Sequence, residues 1–450
     1  MDKPAPLARI LGLGFGLAMV FGGTVGVGIL RLPGTLAATL GDSRLILVFW
    51  IVGGVYALLG AMSVAELAAM LPRAGGFYVY ARRAFGSGAG FVVGWSDWIN
   101  EVATLAYGSM TAMTFVSSLW PAAARYAAPG AVFIIAAFTA LHWVGLRMGS
   151  SLTRLISLSI GLMMLILIVA CLFVPPAAHA AAPLPMSAAS MPLLSMGMLA
   201  ALVSGMRAVL LTYDGWYSPI YLAEENTDPG RTLPRALIGG TVVLIVLYVL
   251  VNAALLRVLP LSALASSDLP AAAAAHLVFP RGGGELVTLI SLLTVLSLVN
   301  ATLLLAPRVL FAIGRDGLFT RKAAAVSTGG TPRLALAVSS AVALVLILSG
   351  TFEQIIAIAT VLFLLNYISA YAALFVLRRH EPDLPRPYRA FGFPFTTAIV
   401  LVGSILALIA AVLEDLRSAL IAFLLLAACA PIYAAIARFR RLTEARAAAD

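Results

Sequence analysis

Stretches of about 20 apolar residues recur along the whole chain, each long enough to cross a hydrocarbon layer of about 30 Å as a helix. That recurrence limits the fold more than any motif does. The 450 residues are 62% hydrophobic and 11% charged, with a mean hydropathy of +1.03, more apolar surface than a soluble core hides. Backbone groups in lipid must be satisfied within the segment, so such stretches are expected to be helices. The expected fold class is an all-α polytopic membrane protein of twelve transmembrane helices. Their expected spans are at about 10–38, 45–71, 90–118, 130–147, 152–174, 196–224, 236–258, 286–311, 334–350, 354–377, 392–413 and 418–437. The first carries no small-residue cleavage site after a short apolar run and is read as retained, not as a signal peptide.

A net charge of +10 suggests nucleic acid in a soluble protein. Here the basic residues segregate instead. With twelve crossings and the N-terminus inside, Arg31, Arg44, Arg125, Arg207, Arg257, Arg281 and Arg417 fall toward the outer side, and all other arginines and lysines inside. This is the positive-inside pattern, so both termini are expected in the cytoplasm of a cell inner membrane, with the lipid bilayer and not nucleic acid as partner. Cys171 and Cys429 lie in apolar spans and imply no disulfide framework. The four histidines have no ligand-like spacing, so no metal site and no cofactor are expected. Pro72 to Gly88, amphipathic and basic, is expected at the cytoplasmic interface, with Arg73, Arg82 and Arg83 on anionic lipid and its aromatics at the headgroup boundary. Alanine- and proline-rich Pro175 to Pro192 is expected to be an external loop.

The first span contains F-G-G-T-V-G-V-G-I-L-R-L-P, from Phe21 to Pro33. Its close-set glycines and β-branched residues are poor helix material. A break at membrane depth is tolerated only where it is buried in protein or lines a cavity, and the half-helix after it offers its N-terminal amides to an anion. Small-residue helix packing is the competing reading. The sixth span repeats the pattern: L-T-Y-D-G-W-Y-S-P places Asp214 and Gly215 at mid-depth with Pro219 beyond. A carboxylate there costs about 3 kcal/mol facing lipid, so Asp214 is expected to face a cavity. Two broken spans five crossings apart imply halves of opposite orientation and a site between them near the midplane. The expected organisation is a half-repeat over 1–195, an inverted half-repeat over 196–377, and two further helices with a cytoplasmic tail over 378–450.

Other polar positions are candidates for the cavity or for coupling. Asp97 and Glu101 share a face of the third span, one turn apart, and Thr104 and Tyr107 continue it. Their nearness to the cytoplasmic end makes a structural role the stronger competitor. Ser291, Thr294 and Ser297 recur every third residue in the eighth span, as cavity lining or as hydrogen bonds between packed helices.

Six runs together resemble one family: G-V-G-I at Gly26, A-E-L-A-A-M-L-P-R-A-G-G-F-Y-V-Y from Ala65, and Y-D-G-W at Tyr213. The others are E-E-N-T-D-P-G-R-T-L-P-R-A-L from Glu224, P-R-V-L-F-A-I-G-R-D-G-L-F from Pro307, and L-R-R-H-E-P-D-L-P-R-P-Y-R from Leu377. In this order they resemble the amino acid-polyamine-organocation transporters, and among them bacterial relatives of the L-type amino-acid transporters. The resemblance implies the leucine-transporter fold, with a 5+5 inverted repeat plus two helices, and an amino acid substrate moved by alternating access. It places the substrate carboxylate at the amides of Val27, Gly28 and Ile29, beside Gly26. The ammonium would meet carbonyls near Thr24, Val25, Leu211, Thr212 and Asp214, beside Gly215, while Tyr213 and Trp216 border the side-chain pocket.

Three departures stand out. Val27 replaces a frequent serine. Ile160 or Gly161 stands where many relatives carry a lysine. Trp120 to Gly130 holds no cysteine, so no disulfide-linked heavy subunit is expected. The oligomeric state is left open. The leading expectation is a secondary active amino-acid transporter, proton-coupled ahead of sodium-coupled. An obligatory exchanger and a transport-inactive amino-acid sensor are the alternatives. An intramembrane enzyme lacks a legible nucleophile, dyad or metal cluster.

Overall fold

The structure, a computed structural model, describes residues 7, 9–176, 195–349, 352–436 and 438. Most of the expected external loop and nearly all of the C-terminal tail lie outside them. The described residues are helical apart from loops and one isolated bridge between Leu11 and Asn226. In chain order the helices are α1 (Leu13–Thr24), α2 (Gly28–Leu40), α3 (Ser43–Met70), α4 (Phe77–Leu119), α5 (Ala127–Val144), α6 (Leu146–Leu172) and α7 (Met196–Thr212). Beyond these come α8 (Pro229–Val258), α9 (Leu261–Ala265), α10 (Pro270–Val278), α11 (Gly283–Arg315), α12 (Arg333–Leu348), α13 (Phe352–His380), α14 (Phe395–Glu414) and α15 (Leu416–Ala427). Among the described residues nine helices are long and apolar enough to cross a bilayer, or ten when α1 and α2 count as one bent span. Helices α7 and α12 are apolar but shorter.

Apolar side chains cover the outside as well as the core. Phe133 is 72% exposed and Leu413 80%, which hydrocarbon solvates and water does not. Helix α11 lies at the centre, packed on α4, α6, α10 and α12 and buried along most of its length. The short helices α9 and α10, which the spans did not anticipate, cover α2: a side chain on Gly34 would strike the carbonyls of Leu264 and Ser267.

The interfacial expectation for Pro72 to Gly88 needs correction. This stretch is the first part of α4, separated from the span by Gly86, whose φ of 89° kinks the helix. Phe77, Tyr78 and Tyr80 are buried in protein, with Phe77 against Tyr217, Tyr221 and Tyr367. Amphipathic periodicity reveals that a face is apolar, not whether lipid or protein covers it. Two of its three arginines are likewise engaged: Arg82 pairs with Asp316 at 2.8 Å and Arg83 with Glu381 at 2.8 Å.

These pairs belong to a network at one end of the bundle. Buried Glu66 of α3 accepts from Arg378 (2.8 Å to Nε) and from the Ala390 amide (2.6 Å), with Arg386 3.3 Å away. Glu225 pairs with Arg308 at 3.2 Å and Glu224 with Arg315 at 2.6 Å. The Glu225 carbonyl also accepts the amides of Ile10 and Leu11, which ties the entry of α1 to the same end.

Candidate functional site

The sequence breaks the first span where glycine leaves no side chain to pack, and the helix stops there. Helix α1 ends at Thr24, Val25 is extended, and α2 starts at Gly28 with its axis turned by 44°. The first amides of α2 have no preceding carbonyl to bond and carry the positive end of its dipole. Helix α7 likewise ends at Thr212, and a turn leads from it into a 3-10 helix, Ser218–Glu225. Ser218 donates its hydroxyl to the Gly215 carbonyl at 2.7 Å.

The two breaks touch. Gly215, with φ of 104°, lies so close to the first break that a Cβ would overlap the Gly23 carbonyl. Tyr248 of α8, fully buried, donates its hydroxyl to both broken ends, 3.1 Å from the Thr24 carbonyl and 3.3 Å from the Thr212 carbonyl. The sequence reading missed Tyr248. Its signal was a lone phenol in the apolar run L-I-V-L-Y-V-L-V, a side chain that needs a partner when buried.

Between the breaks lies a cavity of about 550 Å³. Of the expected residues, Thr24, Val25, Gly26, Val27, Gly28, Leu211, Thr212, Asp214, Gly215, Glu101 and Tyr107 line it. It reaches exposed Arg31 at one edge and takes in Asn100, Tyr217, Ser218 and Thr302, none of them singled out from sequence. Asp214 accepts from the Tyr367 hydroxyl, while Arg207 pairs with Glu414. Thr24 Oγ1 is buried without a hydrogen-bond partner.

Several expected residues lie elsewhere. Ile29 is fully buried behind the α2 terminus. Tyr213 does not border this cavity but lines the neighbouring void with Trp216; its hydroxyl donates to the Trp50 carbonyl at 3.0 Å, and its ring packs on Trp50 and Tyr248. Trp216 stacks on Tyr367 in a neighbouring void of about 50 Å³, which shares Leu211, Asp214, Thr360 and Phe363 with the larger cavity. Asp97 is set back from the cavity, accepting from Tyr221 at 2.6 Å and from Asn366 at 3.3 Å.

The stripe on α11 also misses the cavity. Ser291 donates to the Val287 carbonyl and Thr294 to the Ser291 carbonyl. Ser297 lies against Gly22, where a Cβ would stand 2.7 Å from the Ser297 hydroxyl oxygen and 2.8 Å from that of Ser157, and its own hydroxyl is buried without a partner. The cavity face of α11 is Val295, Leu298, Ala301, Thr302 and Leu305. Because α11 is buried nearly all round, polarity does not reveal which side faces the void. Ile160 is fully buried, and one turn before it Ser157 donates to the Ala18 carbonyl at 2.9 Å. Among the described residues no group of three or more His, Cys, Asp or Glu could hold a metal ion.

A bent first span, a second break against it and a cavity between them are the arrangement expected of a membrane transporter. Residues 16–435 match the family described as amino acid permease, and the chain belongs to that family, within the amino acid-polyamine-organocation superfamily of multi-pass membrane transporters. It is 26% identical over 437 residues to the serine/threonine exchanger SteT of Bacillus subtilis (strain 168), covering 95% of this chain and 96% of that one. It is 27% identical to the branched-chain amino acid permease BcaP of the same organism, over 88% of this chain and 86% of that one. Against the b(0,+)-type amino acid transporter 1 of Mus musculus the identity is 25%, over 92% and 84%. The family consists of transporters and not enzymes.

Proposed function

We propose that this chain is a secondary active transporter of amino acids working by alternating access, with two inverted halves over 1–195 and 196–377 and two further helices over 378–450. The observation that carries the reading is the cavity at which the amide end of α2 faces the carbonyl ends of α1 and α7. Free amides at a helix N-terminus favour a carboxylate, and unwound carbonyls favour an ammonium, so the pair suits a zwitterion. The substrate carboxylate is assigned to the amides of Val27, Gly28 and Ile29. The ammonium is assigned to Asp214 and to the carbonyls of Thr24 and Thr212, which Tyr248 holds in position. The relatives' names, each an amino-acid permease, exchanger or transporter, support the same substrate class.

Both termini are assigned to the cytoplasm, because the basic residues gather on that side. The ion-pair network then closes the cytoplasmic end, and the cavity, reaching Arg31, belongs to a state open toward the outside. Alternation requires that network to loosen as the outer edge shuts.

Proton coupling is the leading mode, with Glu101 and Asp214 as cavity carboxylates able to carry the proton. Ile160 supplies no charge to the first break; on α11 the Ser291 and Thr294 hydroxyls donate within their own helix, which leaves the unpartnered Ser297 Oγ beside Gly22, one hydroxyl where a sodium cage needs several oxygens. Obligatory exchange is the second reading, favoured by the likeness to SteT. The test is accumulation of labelled amino acid by empty proteoliposomes under an imposed pH gradient and then a sodium gradient, against vesicles preloaded with substrate. Accumulation in empty vesicles with the pH gradient supports proton coupling. Uptake only after preloading, blind to both gradients, identifies an exchanger.

A further inference from the structure

The ion-pair network at the end assigned to the cytoplasm surrounds a second cavity, of about 390 Å³, which shares no residue with the substrate site. It lies at the kink of α4, where Gly86 and Ser87 line it. Four arginines face it: Arg73 from the loop before α4, Arg82 and Arg83 from the turn before the kink, and Arg315 from the end of α11. The acidic residues of the lining are Asp316 and Glu381.

The arginines are more than the carboxylates answer. Asp316 pairs with Arg82 at 2.8 Å, Glu381 with Arg83 at 2.8 Å, and Glu224, from outside the lining, with Arg315 at 2.6 Å. Among the described residues exposed Arg73 has neither an ion pair nor a side-chain hydrogen bond. The paired arginines also have donors to spare: Arg82 and Arg315 each bury an Nε that reaches no acceptor, Arg315 Nε standing 4.0 Å from Asp316 Oδ1. A guanidinium keeps its charge and its five N–H donors, and buried donors without partners are rare in native proteins. Arginines that serve only to orient the chain need face nothing but water or headgroups. Here they ring a void.

We infer that this cavity binds a phosphate group, brought by a free cytoplasmic phosphate compound or by a lipid headgroup, and that its occupancy holds the cytoplasmic end closed. A phosphate group offers up to three acceptor oxygens and a charge of as much as about −2, and guanidinium groups take it in paired hydrogen bonds. The effect on transport rests on the transport reading above; the binding does not. Arg315 is the link, since it gives Nη1 to Glu224, at the end of the 3-10 helix that follows the second break, and keeps Nε free. An anion held by Arg315, Arg82 and Arg73 ties that helix to α4 and α11, so the end that must loosen for alternation is fixed.

The test begins with full-length protein in dodecyl maltoside, titrated with inorganic phosphate against potassium chloride of equal ionic strength. Phosphate is expected to raise the thermal midpoint saturably and chloride not. In Arg73→Gln, which breaks no ion pair, the apparent affinity is expected to fall about tenfold, and in Arg73→Lys to recover in part. If Arg73→Gln does not fold, Arg83→Gln is expected to weaken phosphate likewise. Nanodiscs with and without phosphatidylglycerol identify the source: a phosphate response lost in phosphatidylglycerol discs names the lipid headgroup, and one that persists names a free phosphate compound. In phosphatidylcholine proteoliposomes, phosphate on both sides is expected to slow amino-acid exchange by the parent at least about threefold and leave Arg73→Gln unchanged.

Stabilisation by phosphate no greater than by chloride, or equal in the parent and Arg73→Gln, overturns the inference. Binding that leaves the exchange rate of the parent unchanged overturns its gating half. Absence of exchange for every amino acid, with or without phosphate, overturns the transport reading and leaves the binding site to its own measurement.

Discussion

Gly215 and Tyr248 hold the site together by different means. At Gly215 the absence of a side chain allows two stretches of backbone to meet, and its φ of 104° is one that other residues rarely adopt. Gly215→Ala is therefore expected to lose folded protein, read as loss of the monodisperse peak on extraction, because neither the Gly23 carbonyl nor the turn can yield. Tyr248 has one hydroxyl proton for two carbonyls. Tyr248→Phe frees both, and an unsatisfied buried acceptor costs about 1–3 kcal/mol. The expected outcome is a folded protein whose KM for its best substrate rises about tenfold, and an unchanged KM would remove Tyr248 from the site's support.

Among the elements, the breaks in the first and sixth spans were legible because glycine and proline at membrane depth say directly where a helix stops. Which way the residues beyond each break point was not legible. The charge of Asp214 pointed it to the cavity, but the turn after Thr212 has no regular period, so nothing in Y-D-G-W-Y indicates that Tyr217 turns there as well while Tyr213 packs under Trp50. The hydroxyls of α11 were a sound signal of a polar face, but Ser291 and Thr294 serve their own helix and Ser297 sits unpartnered against Gly22.

Two of the runs that carry the family resemblance prove to be structural at charged positions. Glu66 from the A-E-L-A-A-M run meets Arg378 and Arg386 from the L-R-R-H-E-P-D-L-P-R run, joining α3, α13 and the loop beyond. Removing one partner of a buried pair costs about 3–5 kcal/mol. Glu66→Ala is accordingly expected to lower the thermal midpoint sharply. A variant as stable as the parent would show that the network does not hold this end closed.

For the whole molecule, the central claim is that the two breaks form one substrate site through which an amino acid crosses the membrane. Gly28 is the position where this is most exposed to test. It opens α2 beside Thr212, and a Cβ there would stand 3.0 Å from the Thr212 methyl carbon, so a leucine side chain must project between the amides and the carbonyls. The deciding measurement is counterflow of labelled amino acid into substrate-preloaded proteoliposomes, parent and Gly28→Leu side by side, each checked as folded by size exclusion. The account predicts clear counterflow for the parent and none above empty liposomes for Gly28→Leu. Counterflow of equal rate and affinity in the two proteins would contradict it.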